Sequence, residues 1–86
     1  MMNENEAKIY VTVNADFSDD GQLTPKYLVW ADGHKYEIDK VTDVRRASSL
    51  KAGGCGIRYT CQIMGGLHYL FYEENYKWFV EARDRR

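Results

Sequence analysis

GIRYTCQIMGGLHYLFYEE, the segment from Gly56 to Glu74, decides how this chain folds. Two runs rich in β-branched and aromatic residues flank Gly65-Gly66, and glycine accepts the positive φ angles that a two-residue hairpin turn demands. A turn centred there predicts Met64 opposite Leu67. Ile57, Tyr59, Cys61, Ile63, His68, Leu70 and Tyr72 then share one face. Arg58, Thr60, Gln62, Met64, Leu67, Tyr69, Phe71 and Glu73 share the other. The first set is the better core face, and a slip of one residue would exchange the two.

Working outward, Lys26–Ala31 and His34–Lys40 flank Asp32-Gly33, which predicts a second two-residue hairpin. Its register would place Ala31, Val29, Tyr27, His34, Tyr36 and Ile38 on an apolar face. Pro25 lacks a ladder donor and suits the start of that strand. From Lys8 to Phe17 the chain alternates strictly, with Ile9, Val11, Val13, Ala15 and Phe17 on one side, the mark of a half-buried strand. Ser18-Asp19-Asp20-Gly21-Gln22 reads as a turn. Residues 77–83 read as a last strand because Tyr, Trp, Phe and Val cluster there; a short helix over 74–83 is the alternative. Val41 and Val44 stand three apart and break the strand period, so Val41–Cys55 reads as an irregular connection. Ala47–Ala52 is expected to form one helical turn, with Ser48 or Ser49 as its cap.

Short antiparallel strands joined by glycine turns predict an all-β protein: a small barrel of five to six strands, SH3-like, with one short helical turn. The 86 residues make one domain. Residues 1–7 are expected to be a disordered tail, 8–83 the barrel and 84–86 a C-terminal tail.

A chain this short buries roughly 60–65% of its unfolded surface and has no room for a deep interdomain cleft, which weighs against an enzyme. Formal net charge is −1. A dedicated nucleic-acid binder is usually basic overall, so only a local patch could serve here. One exists in outline. Between Val44 and Tyr72 there is no acid, while Arg45, Arg46, Lys51 and Arg58 lie there among five of the seven glycines. The polar, acidic opening Met1–Glu6 lacks the features of a secretory signal, and no apolar run is long enough to span a bilayer. A cytoplasmic location with reduced Cys55 and Cys61, and no membrane association, is the expectation.

Candidate sites follow from these patterns. Gly53-Gly54-Cys55-Gly56, flanked by Lys51 and Arg58, could present successive amides to an anion. The Gly-Lys-Ser/Thr ending of a phosphate loop is missing, and a sharp corner between strands is the favoured reading. Arg58, Gln62, Tyr69, Phe71 and Trp30 could share a solvent-facing side, a cation–aromatic surface suited to stacked bases or extended peptides. Cys55, Cys61, His34 and His68 lack the close spacing of a zinc set, and no cofactor is expected. Neither a Cys-His pair with an orienting third group nor two carboxylates set up for acid–base work can be identified.

The stretch Trp30-Ala31-Asp32-Gly33-His34-Lys35-Tyr36-Glu37-Ile38-Asp39-Lys40-Val41, with Ala52-Gly53-Gly54-Cys55-Gly56-Ile57-Arg58-Tyr59 and Trp78-Phe79-Val80-Glu81, resembles a group of small uncharacterised proteins. The group belongs to low-GC Gram-positive bacteria and their conjugative mobile elements. The likeness runs over most residues from Tyr10 to Glu81. It implies a compact SH3-like β fold in the cytoplasm and transfers no functional residue. The expected role is therefore non-enzymatic binding of a protein partner. Nucleic-acid binding through the basic glycine-rich segment 45–58 is the alternative. The residues expected to contribute are Arg45, Arg46, Lys51, Gly53, Gly54, Arg58, Trp30, Tyr69 and Phe71.

Overall fold

The computed structural model of the chain describes residues 8–47 and 56–81. The described residues form seven strands and no helix: β1 (Lys8–Phe17), β2 (Leu23–Val29), β3 (Lys35–Glu37), β4 (Lys40–Arg46), β5 (Gly56–Ile63), β6 (Gly66–Glu73) and β7 (Trp78–Glu81). They make one antiparallel sheet in the order β3-β2-β1-β7-β6-β5-β4, curled into a half-barrel. The expected helical turn falls, apart from Ala47, outside the described residues. So do the two tails and Ala82 and Arg83 of the last predicted strand.

The count is seven because the predicted strand His34–Lys40 breaks at Ile38-Asp39 and the first part of Val41–Cys55, expected to be an irregular connection, is strand β4 as far as Arg46. Ile38 N–H donates to Lys26 C=O on β2, and the next amide, Asp39 N–H, donates to Gln62 C=O on β5 at 2.8 Å. The chain thereby stops pairing with one end of the sheet and starts pairing with the other. The two outermost strands are consecutive in sequence, and the junction between them holds the half-barrel's ends together.

Three connections use the same loop. In Ser18–Gln22, Trp30–His34 and Glu73–Lys77 the first residue's N–H donates to the fifth residue's C=O at 2.8 Å, and the fourth residue's N–H donates back to the first's C=O. The third residue is Asp20, Asp32 or Asn75, and its side-chain oxygen accepts the fifth residue's N–H. The fourth lies at positive φ: Gly21 at 87°, Gly33 at 87° and Tyr76 at 68°. These are three-residue loops ending in a left-handed residue, so Asp32-Gly33 does not form the expected two-residue turn. The longer loop moves the register by one, pairing Leu28 with Tyr36 and Val29 with Lys35. Leu28 and Trp30 turn to the core in place of Val29 and Tyr27, while Tyr36 and Ile38 stay inward as expected. Tyr27 faces out, with Lys35 Nζ 4.2 Å from its ring centre.

The β5–β6 hairpin turns through Met64-Gly65 instead of Gly65-Gly66, with φ of 51° and 82°. Ile63 now opposes Gly66, and Cys61 opposes His68. That shift is even, so every side chain keeps its predicted face. Gly56, the first residue of the predicted run, is the buried first residue of β5, where a side chain would collide with the carbonyl of Tyr72. The broken period at Val41/Val44 is a β-bulge. Thr42 is the extra residue, so Val41 opposes Cys61 and Val44 opposes Tyr59 on the same face. A second bulge leaves Lys26 as the extra residue between Asn14↔Tyr27 and Ala15↔Pro25, and the adjacent Pro25 lies fully buried where no ladder donor is needed.

Leu28, Tyr59, Cys61, Ile63 and Leu70 form the core, with Val11, Val13, Trp78 and Val80 packed against it. Tyr59 reaches through this interior, and its hydroxyl donates to Leu23 C=O at 2.7 Å. Phe17 keeps the alternation of β1 but is 74% exposed beyond the bulge.

Candidate binding cleft

The β5–β6 hairpin is longer than its neighbour. β6 pairs with β7 only at Phe71↔Phe79 and Tyr72↔Trp78. Continuing that register would set Tyr69 opposite Glu81, but the ladder stops. From Leu70 to the hairpin tip β6 parts from β7, while β7 stays paired with β1 on its other side as far as Glu81↔Lys8. The two strands diverge and open a cleft of about 580 Å³. Leu67, His68 and Tyr69 line one side, Val80 and Glu81 the other, and Leu28, Trp30, Tyr36 and Ile63 lie along its interior. The hairpin tip leaves Met64 81%, Leu67 65% and Tyr69 46% exposed at the mouth.

Of the predicted basic residues, the structure brings Arg45 and Arg58 together and sets Arg46 apart. Arg45 opposes Arg58 across β4 and β5, but Arg46 opposes Ile57 and so belongs to the opposite face. Arg45 binds Asp43 on its own strand, Nε to Oδ2 at 2.8 Å, and that hydrogen bond holds the Asp43 carboxyl below its usual range. The acid-free stretch therefore begins one residue after the acid that neutralises its first arginine. Lys51, Gly53, Gly54 and Cys55 lie outside the described residues.

The aromatic surface is corrected in the same way. Phe71 is 3% exposed, stacked on Phe79 with ring centres 4.9 Å apart. Lys8 Nζ lies over Phe79, and Tyr10 and Tyr69 meet this pair edge-on. Glu73 accepts hydrogen bonds from Lys8 Nζ at 2.6 Å and from the Tyr10 hydroxyl at 2.8 Å. Burial works to raise the Glu73 carboxyl, but the Lys8 and Tyr10 hydrogen bonds outweigh it and leave it below its ordinary value. Trp30 packs against the core and lines the interior of the cleft, so it does not join Arg58 on the outer surface. What remains on the outer surface is Arg58 laid over Tyr69, Cζ 4.5 Å from the ring centre.

Of the remaining candidate groups Cys61 is in the core, whereas His34 and His68 are exposed. Cys61 is fully buried, and burial pushes its thiol up to about 11. His34 stacks on Tyr36 at 5.0 Å. Among the described residues no three His, Cys, Asp or Glu side chains group so as to hold a metal ion. Among the described residues no helix is long and apolar enough to cross a membrane.

Sequence reasoning found Trp30 and Tyr69 but missed the cleft, because Met64, Leu67 and Val80 are ordinary strand residues whose exposure depends on where a ladder ends. The one local signal is Met64-Gly65, where an apolar residue occupies a turn position that favours Asn or Gly. Comparison with family models, with curated proteins and with solved structures finds no match.

Proposed function

We propose that this domain is a non-enzymatic binding module for a protein partner, engaged at the cleft between β6 and β7. The observation that carries the reading is the apolar mouth: Met64, Leu67 and Tyr69 stand exposed beside an interior lined by Trp30 and Leu28. Exposed apolar residues scattered singly are ordinary, but contiguous ones at a concave site mark recognition surfaces. The pairing of Arg45 with Asp43 and the divergence of Arg46 favour this reading over nucleic-acid binding through residues 45–58.

The test compares wild-type protein with Leu67→Glu and with an Arg45→Ala/Arg46→Ala double variant. Partners are recovered quantitatively from cells of the source organism, and labelled oligonucleotides are titrated at low salt. The expected result is a protein partner lost with Leu67→Glu and retained by the arginine variant. Oligonucleotide binding that falls steeply with salt and vanishes in the arginine variant would overturn it.

A further inference from the structure

The cleft's shape and backbone specify the form of ligand that fits it. In an antiparallel pair, successive residues alternate between pointing their N–H and C=O groups at the partner and pointing them away. The Met64-Gly65 turn makes Ile63–Gly66 a hydrogen-bonded pair, so Cys61–His68 and Tyr59–Leu70 are hydrogen-bonded too. Leu67 and Tyr69 therefore direct their backbone groups away from β5, towards the gap where β7 has departed. Neither has a strand partner on that side among the described residues.

A bare edge of this kind invites pairing, and proteins normally blunt it with charges, bulges or short strands. The outer edge of β4 has such protection: a bulge at Thr42, and Lys40, Asp43, Arg45 and Arg46 along its length. Among the described residues the open stretch of β6 has none. It carries Leu67 and Tyr69 and is led into by Met64, which holds φ of 51° with 81% of its surface exposed. That backbone conformation is uncommon for a non-glycine residue, and Asn at the same position would relieve it. An apolar, adaptable side chain is kept there at a cost in stability, as expected of a binding rim.

Resting on the proposed function above, we propose that the partner binds as one extended peptide segment added as a strand to β6 at Leu67 and Tyr69. Its inward, alternate side chains are apolar and enter the cleft over Trp30 and Leu28. Its outward side chains face the Arg58–Tyr69 surface, where the guanidinium makes no ion pair among the described residues, and so favour acids. Backbone hydrogen bonds supply affinity and the pockets for alternate side chains supply selectivity. The gap lies between two strands of one curled sheet, which admits a single chain more readily than the sheet of a second copy.

The probe is a displayed library of random twelve-residue peptides selected on the wild-type protein and counter-selected on Leu67→Glu. The selected peptides are expected to alternate apolar residues with polar or acidic ones. In the free protein the amides of Leu67 and Tyr69 should exchange faster than those of His68 and Leu70, and bound peptide should slow them. Methylating the peptide amides that face β6 should abolish binding, while methylating those that face away should not. Met64→Asn should raise the melting temperature yet weaken the peptide about tenfold, the loss of one well-packed anchor contact. Peptides that bind without protecting Leu67 and Tyr69, or that tolerate methylation at every position, would overturn the strand-addition inference while leaving a protein-binding module standing. Failure to recover any binder would overturn both. Concentration-dependent dimerisation protecting the same two amides would replace the peptide with a second copy.

Discussion

Tyr76 occupies the loop position that glycine fills in two sister loops of the same molecule, and this allows a prediction with an internal control. Its φ is 68°, against 87° at both Gly21 and Gly33. For an L-residue the left-handed region costs roughly 1–2 kcal/mol, from contact between Cβ and the following carbonyl. Tyr76→Gly removes that cost but makes the unfolded chain more flexible, at roughly 0.4–1 kcal/mol. Little packing is lost, because Tyr76 is 81% exposed and meets Tyr72 only at 6.5 Å between ring centres. The net expectation is a gain of about 0.5–1 kcal/mol. For a domain of this size that corresponds to a rise in melting temperature of roughly 2–8 °C. Gly33→Ala is the control of opposite sign. A Cβ at Gly33 would meet nothing within 4 Å, so only the backbone conformation opposes it, and a loss of about 0.5–1 kcal/mol is expected. Thermal and urea denaturation of both variants measure the pair. If Tyr76→Gly is destabilising, or Gly33→Ala is neutral, the account of these loops as one conformational unit is wrong.

Other consequences can be measured on the same preparations. Tyr59→Phe deprives Leu23 C=O of its donor inside the half-barrel and should cost about 1–2 kcal/mol by urea denaturation; an unchanged midpoint would mean that the hydroxyl contributes nothing. The Glu73 carboxyl is depressed below its reference value of 4.5, so its stabilising contribution is complete above that pH and is lost as pH falls through the folded-state value. The stability difference between wild type and Glu73→Gln should therefore shrink on acidification below about pH 4.5, and a difference constant down to pH 2 would contradict the Lys8–Glu73 pairing. Cys61 should resist alkylation at pH 8 until the domain unfolds, because its thiol is buried and held near 11. Site-resolved mass spectrometry showing rapid labelling of native Cys61 would refute its place in the core.

Much of the fold can be read locally, and the departures have identifiable causes. Asp-Gly is compatible with a two-residue or a three-residue loop. The choice between them depends on whether Leu28 or Val29 faces Val13 and Tyr36, which is a matter of packing across β1, β2 and β3. The β5–β6 turn lies one residue earlier than the glycine pair suggests, yet the shift of two in register leaves Tyr59, Cys61, Ile63 and Leu70 inward. Val41 and Val44 already carried the trace of the Thr42 bulge, as two inward residues at an odd spacing. The candidate site was less legible. Adjacency in sequence suggests that Arg45 and Arg46 share one patch, but neighbouring residues of a strand point to opposite faces. Phe71 falls on the expected face; its burial comes from stacking on Phe79, a residue of another strand.

By itself, the sequence determined the strand segments other than β4, where most of the turns fall and which side of β5 and β6 is apolar, because side-chain alternation and turn chemistry act over a few neighbouring residues. Only the tertiary structure decided that the chain changes partner at Ile38-Asp39 and that β6 outlasts its pairing with β7. The cleft beside Leu67 and Tyr69 is a result of the second fact. The place where a ladder ends depends on the lengths and registers of strands distant in sequence, and no local pattern encodes it.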